Sequence, residues 1–477
     1  MNHPASYRNS RVVVLGLAKS GVSVAKVFHA LGANVIVNDK KEREQCPEAD
    51  ELIALGISVL CGYHPEDLVT PDTALLVKNP GIPYTADPVQ QAVRHGVEIV
   101  TEVEVAYHLS AAPIIGITGS NGKTTTTTWT GEILAQAGLA PIVAGNIGRP
   151  LCDAAGEATA ENWIVAELSS FQLKGTASFR PRVGVLLNLA ETHLDYHGGM
   201  DDYIASKAKL FANQTAEDTA VLNWDDAECR KLADGLEAKL FPFSLYERLN
   251  AGVFVEPPFP KAGEKDAAAE AERMIVLRSP DGVLTEMLPV RELGIPGRHN
   301  AANALAAIAA CYAAGAKPER MIEPLRGFRG VEHRLEFVRE AYGVQFYNDS
   351  KATNPTATTM SIGSLAAPIV LIAGGLDRGS DYMELLPVFR DRLKALVALG
   401  ETRDKLAHVA ELAGLRDVVL VDPEEDAEAT LREAVRQAAY LAEQGDAVLL
   451  SPACASWDMF KSYEQRGSIF KQSVHTL

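Results

Sequence analysis

Nine consecutive residues, Gly116-Ile-Thr-Gly-Ser-Asn-Gly-Lys-Thr124, follow the apolar run Pro113-Ile-Ile and lead into a helical stretch ending near Ala137. Binding a polyphosphate takes backbone N–H donors around its oxygens, an ammonium close to the outer phosphates and a hydroxyl for a divalent cation. Gly122-Lys123-Thr124 supplies the ammonium and the hydroxyl, and the helix that starts there points its positive end at the anion. The usual spacing of such loops sets a glycine five places before Gly122; Ile117 stands there instead, and the glycines lie at 116 and 119. This is a variant phosphate loop, with a plain strand-to-helix turn as the alternative.

Two further polar groups follow apolar runs. Trp163-Ile-Val-Ala166 leads into Glu167-Leu-Ser-Ser-Phe-Gln172, and Val183-Gly-Val-Leu-Leu187 into Asn188-Leu-Ala-Glu-Thr-His193-Leu-Asp195. A lone Glu or His is usually structural. At the carboxyl ends of strands beside a phosphate loop, Glu167 and His193 stand where α/β folds hold ligands, and a metal role is expected for both.

These residues need strands and helices to carry them, and the chain supplies three α/β blocks. The first opens with Arg11-Val-Val-Val-Leu15, the turn Gly16-Leu-Ala-Lys-Ser-Gly21, an amphipathic stretch to His29 and a second strand Asn34–Asn38 closed by Asp39. Runs at 57–60, 74–77 and 97–100 add buried strands, which predicts a wound parallel sheet. Ala18 stands where a dinucleotide-binding turn needs its second glycine, so NAD binding is not expected. Asp39 still suits a ribose or a base edge. The second block holds the phosphate loop. It ends in a Pro-, Lys- and Glu-rich stretch over 256–272 and a hairpin around Ser279-Pro-Asp-Gly282. The third follows an Ala-rich helix over 300–314, with strands at 344–347, 369–372, 395–398 and 447–450.

Composition narrows the class. At 477 residues the chain is long enough for several cores, and 47% hydrophobic with 22% charged residues is the balance of a folded, globular protein. A net charge of −17 argues against nucleic acid as a partner. Six dispersed cysteines form no CxxC pair, as expected of free thiols in a reducing compartment. No apolar run reaches the ~18 residues of a membrane span, and a cytoplasmic location is expected.

The sequence Thr118–Thr124 resembles the variant loop of the Mur ligases and folylpolyglutamate synthetases, which join amines to carboxylates. Other segments extend the resemblance to the Mur ligases over nearly the whole chain: Gly297-Arg-His-Asn-Ala-Ala-Asn303, Glu332-His-Arg334, Asn348-Asp-Ser-Lys-Ala-Thr-Asn354 and Gly374-Gly-Leu-Asp-Arg378. It implies a Rossmann-like UDP-binding domain over 1–109, a P-loop ATPase-like domain over 110–331 and a Rossmann-like amino-acid-binding domain over 332–477. ATP would be held by Gly119, Asn121, Gly122, Lys123, Thr124, Thr125, Asn303, Arg334 and Asp349, and two Mg²⁺ ions by Thr124, Glu167, His193 and Lys207. Lys207, in Tyr203-Ile-Ala-Ser-Lys207, matches the position of a lysine carbamylated by CO₂, with Lys209 as a neighbouring alternative. Lys351 would act on the reacting groups, together with Lys123, Glu167, His193 and Lys207.

Within the family, Ser451-Pro-Ala-Cys-Ala-Ser456-Trp-Asp-Met-Phe-Lys-Ser-Tyr463-Glu-Gln-Arg-Gly467 resembles the members that add D-glutamate. The Asp-Asn-Pro-Arg motif of the diaminopimelate- or lysine-adding members is absent. The implied substrates are UDP-N-acetylmuramoyl-L-alanine and D-glutamate. Ser20, Asp39, Asn79, Gly81, Asn146, Ser169 and Gln172 would meet the first, and Thr353, Arg378, Ser456 and Tyr463 the second. Arg378 stands where some members have lysine. A monomer is expected. The alternatives are a folylpolyglutamate synthetase, disfavoured by the separate first block, and a switch that binds ATP without ligating anything.

Overall fold

Most of the apolar runs become strands buried on both faces, which is why they read as continuous Val, Ile and Leu rather than as alternating patterns; the run at 57–60 is an exception, forming a partly exposed strand. The computed structural model describes residues 1–191, 194–261, 263–266, 271–365 and 367–477, with Leu194 and Asp195 described by backbone alone. It divides into two compact units, Met1–Val290 with Ala302–Leu325, and Arg291–Ala301 with Arg326–Leu477.

The first unit holds three sheets. In the first, β1 (Arg11–Leu15), β2 (Asn34–Asp39), β3 (Ser58–Cys61), β4 (Thr73–Lys78) and β5 (Ile99–Val100) run parallel in the order β3-β2-β1-β4-β5. The second contains β6 (Ile114–Thr118), β7 (Pro141–Gly145), β8 (Trp163–Glu167), β9 (Val183–Leu186), β10 (Thr219–Leu222) and β11 (Lys239–Leu240), parallel in the order β11-β10-β9-β6-β8-β7. The chain winds to one side of β6 through β7 and β8 and to the other through β9. The carboxyl end of β6 is therefore a topological switch point, where such sheets open a crevice for ligands.

The first two sheets share a core. Helix Lys19–Ala30 buries Val24, Ala25 and Phe28 in the same cluster as Val103, Ala154 and Leu168. Ser23 Oγ donates to Asp153, and Glu102 accepts the Cys152 N–H at 3.0 Å. Fully burying a side chain the size of Val24, Phe28 or Leu168 is worth about 1.5–3 kcal/mol, and the shared cluster packs the two sheets as one body.

A third, smaller sheet comprises β12 (Phe243–Ser244), β13 (Gly252–Glu256), β14 (Met274–Arg278) and β15 (Leu284–Pro289). Its β14–β15 hairpin closes on the expected Ser279–Gly282 turn, where Gly282 takes φ +89° and its N–H donates to Ser279 O at 2.9 Å.

The second unit carries β16 (Glu336–Ala341), β17 (Val344–Asn348), β18 (Ile369–Ala373), β19 (Leu393–Ala398), β20 (Asp417–Leu420) and β21 (Ala447–Leu450), in the order β16-β17-β21-β18-β19-β20. All its pairs are parallel except β16–β17. Among the described residues no helix is long and apolar enough to cross a membrane.

Candidate active site

The loop between β6 and helix Lys123–Gln136 is clamped before any ligand arrives. Asn188, just past β9, accepts the Asn121 N–H through Oδ1 at 2.8 Å and the Ser120 N–H through its carbonyl at 3.0 Å. Ser120 Oγ donates to Ala190 O at 2.9 Å and lies 2.8 Å from the Tyr203 hydroxyl. Gly122 takes φ +82°, and a Cβ there would run into Asn303 Oδ1. Gly122→Ala is therefore expected to push Asn303 away or tilt the loop, weakening nucleotide affinity by about tenfold or more, checked by titration with ADP.

Two lysine side chains converge on this loop. Lys123 Nζ donates to Gly119 O and Ser120 O, both at 2.9 Å, and Lys207 Nζ donates to the same Gly119 O at 2.9 Å and to Thr118 Oγ1 at 3.1 Å. Burial, with the Lys123 charge adding to it, pushes the Lys207 pKa down to about 6. Lys209, two residues on along its helix, instead donates to Lys174 O and Thr176 O at 2.7 and 2.9 Å. Lys207 lines the cavity at the loop and Lys209 does not.

That cavity, of about 570 Å³, brings together Ser20, Asn79 and Gly81 from the first sheet with Lys123, Asn146, Ser169, Gln172 and Lys207 from the second. Ser169 and Gln172 also form a capping box, the Ser169 N–H donating to Gln172 Oε1 at 2.9 Å. An S-x-x-Q spacing carries that signal in the sequence. Asp39 lies in a second cavity of about 550 Å³, which Asn79 also borders. Its two oxygens accept the Leu17 N–H at 2.7 Å and the Lys41 N–H at 2.9 Å, holding the glycine turn. A Cβ on Gly16, at φ +104°, would come within 2.8 Å of Asn79 Cβ, so glycine here lets the turn approach that residue.

Glu167 is buried at the end of β8. Its Oε1 accepts from Asn146 Nδ2 at 2.8 Å, while Oε2 has no hydrogen-bond partner among the described residues. An orphaned carboxylate oxygen, with the buried Thr124 hydroxyl at the start of the neighbouring helix, is a donor set that fits Mg²⁺. Thr125 is buried beside it. His193 lies outside the described residues, and among those described no three His, Cys, Asp or Glu side chains cluster as a metal site.

A chain of contacts runs back from Ser170, which lines the cavity, to residues outside the quoted motifs. Ser170 Oγ lies 3.0 Å from His197 Nε2, His197 Nδ1 lies 2.6 Å from Asp202 Oδ2, and that oxygen accepts from Lys174 Nζ at 2.7 Å. The chain fixes the turn that presents Ser169 and Gln172.

In the second unit, Asp349 is buried at the end of β17. Its oxygens accept the Leu335 N–H at 3.1 Å and the Ser451 hydroxyl at 2.7 Å, and burial pushes its pKa up to about 6. Arg334 Nε is buried without a hydrogen-bond partner among the described residues. Thr353 is exposed, its N–H donating to Lys351 O at 2.9 Å. Lys351 Nζ lies 5.5 Å over the Tyr463 ring, and Ser456 is buried.

Three of these loops meet at Arg466, another residue to which the motifs attach no role. The guanidinium is buried and donates to Ser350 Oγ at 3.0 Å, Ser350 O at 2.9 Å, Cys454 O at 3.2 Å and Gly374 O at 3.5 Å. It ties together the segments carrying Lys351, Ser456 and Arg378. Arg466→Met is expected to leave these acceptors without a donor and to cost the second unit about 3 kcal/mol, read as a lowered unfolding midpoint in urea.

Residues 10–101, 117–311 and 333–454 match, in order, the family models of the Mur ligase MurD-like N-terminal domain, the Mur ligase middle domain and the Mur ligase glutamate ligase domain. A Geobacillus sp. (strain WCH70) protein named UDP-N-acetylmuramoylalanine–D-glutamate ligase is 45% identical over 100% of both chains. The chain belongs to the Mur ligases. A protein of the same name from Listeria monocytogenes serotype 4b (strain F2365) is 43% identical, over 99% of this Mur ligase and 97% of its own length. Among solved structures, Thermotoga maritima UDP-N-acetylmuramate-alanine ligase MurC aligns with a TM-score of 0.57 at 19% identity, covering 98% of this chain and 99% of its own. Thermotoga maritima MurF ligase, solved in complex with ADP, aligns with a TM-score of 0.55 at 15% identity, covering 100% and 97%. These two share the fold with this Mur ligase, an ATP-dependent enzyme of α/β architecture.

Proposed function

We propose that this Mur ligase joins D-glutamate to UDP-N-acetylmuramoyl-L-alanine in peptidoglycan precursor synthesis, turning ATP into ADP and phosphate. The observation that carries the reading is the cavity in which Lys123 and Lys207 face Ser20, Asn79 and Asn146: a phosphate loop opening onto a polar chamber built from a second sheet. Full-length relatives with that activity in their name support the choice of substrates.

A free carboxylate is a poor electrophile. In the reaction proposed, an alanyl carboxylate oxygen attacks the γ-phosphorus and the bond to ADP breaks, leaving an acyl phosphate. The D-glutamate amine, as the free base, then attacks the acyl carbon, the C–O bond to phosphate breaks, and the nitrogen gives up a proton. Lys123 neutralises charge on the transferred phosphoryl group, where enzymes of this type gain most of their rate. Mg²⁺, when bound, would add charge neutralisation at the phosphate oxygens. Thr124, Glu167, His193 and Lys207 are the residues that would hold it, Lys207 as a carbamate made from CO₂ and its largely neutral amine.

Gly119, Asn121, Gly122, Thr125, Asn303, Arg334 and Asp349 are assigned to ATP, and Lys351 to the reacting groups. Ser20, Asp39, Asn79, Gly81, Asn146, Ser169 and Gln172 are assigned to the UDP-linked substrate. Thr353, Arg378, Ser456 and Tyr463 are assigned to D-glutamate. The segments 1–109, 110–331 and 332–477 are the corresponding domains.

The test is phosphate release by the purified chain with ATP and Mg²⁺, omitting one substrate at a time. Release is expected only with both UDP-N-acetylmuramoyl-L-alanine and D-glutamate present. Release with a folate and L-glutamate, or ATP binding with no turnover under any combination, would overturn the reading.

A further inference from the structure

What surrounds Arg378, a residue assigned to D-glutamate, decides how its charge is presented. Its guanidinium carbon lies 5.0 Å from the ring centroid of Trp457, an indole that is 66% exposed. No carboxylate forms an ion pair with Arg378 among the described residues. Its neighbour Asp377 is turned away, bound to Lys405 Nζ at 2.8 Å and to the Gly379 N–H at 2.8 Å. Glu401 accepts the Asp377 N–H at 3.0 Å, and Asp458, next to Trp457, accepts the Glu401 N–H at 3.4 Å. Asp377 is thus paired with another cation, and the Arg378 guanidinium rests on a ring.

The backbones behind the pair are fixed to each other. Gly374 N–H donates to Pro452 O at 2.9 Å, Leu376 N–H to Ala455 O at 3.0 Å, and Gly375 N–H to Thr402 Oγ1 at 3.1 Å. Arg378 and Trp457 each sit two residues beyond the Leu376–Ala455 bond, so the stitched loops deliver the side chains to one place. A guanidinium lying over an aromatic face keeps its in-plane N–H groups available, and those form the fork that grips a carboxylate with two parallel bonds.

We propose that Trp457 is a positioning residue that holds the Arg378 guanidinium ready for a carboxylate of the incoming amino acid. The proposal rests on the assignment of Arg378 to D-glutamate. Its role is to remove rotamer freedom from a long side chain before the substrate binds, so its loss weakens amino-acid binding and leaves the phosphoryl chemistry alone.

The experiment is steady-state kinetics with D-glutamate as the varied substrate, on the full chain and on Trp457→Ala, Trp457→Phe, Arg378→Ala and the Trp457→Ala/Arg378→Ala double variant. Because Trp457 is exposed, the variants are expected to melt with the parent chain. Trp457→Ala is expected to raise KM for D-glutamate about fivefold, equivalent to about 1 kcal/mol. Its kcat should stay within about twofold and its KM values for ATP and the UDP-linked substrate should not change. Trp457→Phe, which keeps an aromatic face, should restore most of the loss, and in the Arg378→Ala background the tryptophan should matter no further. An unchanged KM in Trp457→Ala, or the same loss with and without Arg378, would overturn the proposal. An unchanged KM in Arg378→Ala would instead overturn the assignment of Arg378 on which it rests.

Discussion

Lys123→Ala is expected to lower the rate of phosphate release by about 10³-fold or more, equivalent to about 4 kcal/mol of lost transition-state stabilisation, while the chain stays folded. The size follows from where the ammonium sits. It is held against Gly119 O and Ser120 O at the mouth of a cavity, at the start of a helix whose N–H groups already face the phosphate position. Removing it leaves those N–H donors in place, so nucleotide binding weakens less than turnover. Lys123→Arg is not a rescue, because a planar fork cannot take the place of a compact ammonium that two loop carbonyls grip. Stopped-time assays of phosphate release, alongside ADP titration of the same variants, check both parts. Turnover near that of the parent chain would refute the phosphate-loop assignment.

Lys207→Ala is the second large effect, with a loss of about 10²–10³-fold expected from removal of the proposed metal-holding carbamate. Added short carboxylic acids should return part of the activity by supplying that anion from solution, and Lys209→Ala should remain active because its ammonium points to Lys174 O and Thr176 O. Full activity of Lys207→Ala in plain buffer would refute the carbamate. The same lysine makes a prediction about stability. Its pKa falls from 10.5, the ordinary value for a solvated lysine, to about 6 in the folded chain. Between those values the unfolded chain holds a proton that the folded chain does not, so this residue's contribution makes stability rise with pH. Below about pH 6 the cost of burying the charge is fully felt, and above 10.5 it is gone. In CO₂-free buffer, Lys207→Met should therefore gain stability over the parent chain at about pH 6, and the gain should shrink by about pH 9 in parallel melting scans.

How much of this is legible in the sequence depends on burial. β6, β8, β9, β18 and β21 are covered on both faces, so their apolar runs stand out, and the Glu167 and Asn188 groups can be set at strand ends from the sequence alone. β7 is a half-buried edge strand beginning with proline, and β16 mixes Glu and Arg with its apolar residues; neither carries the pattern that betrays a central strand. In the third sheet the β14–β15 hairpin is announced by its turn, whereas β12 escapes because it has two residues and owes its existence to pairing with β13.

The site divides in the same way. Residues in local motifs, such as Lys123, Ser169 and Gln172, can be found because strand–loop–helix geometry fixes them over a few residues. Choosing Lys207 over Lys209 needs the helix itself, since positions two apart face different ways. Arg466 is visible only in the fold: its acceptors lie at 350, 374 and 454, far apart in the chain and joined only when the sheet forms. The Ser170–His197–Asp202 contacts are of the same kind.

In the proposed reaction the chain activates a carboxylate as an acyl phosphate. UDP-N-acetylmuramoyl-L-alanine carrying ¹⁸O in both oxygens of its alanyl carboxylate tests it directly, with ATP and D-glutamate as co-substrates and mass analysis of the phosphate released. One labelled oxygen in each phosphate is the predicted result, because the attacking oxygen leaves with the phosphoryl group. Phosphate free of the label, formed together with the D-glutamyl product, would show that the carboxylate is not activated through its own oxygen and would rule out the acyl phosphate.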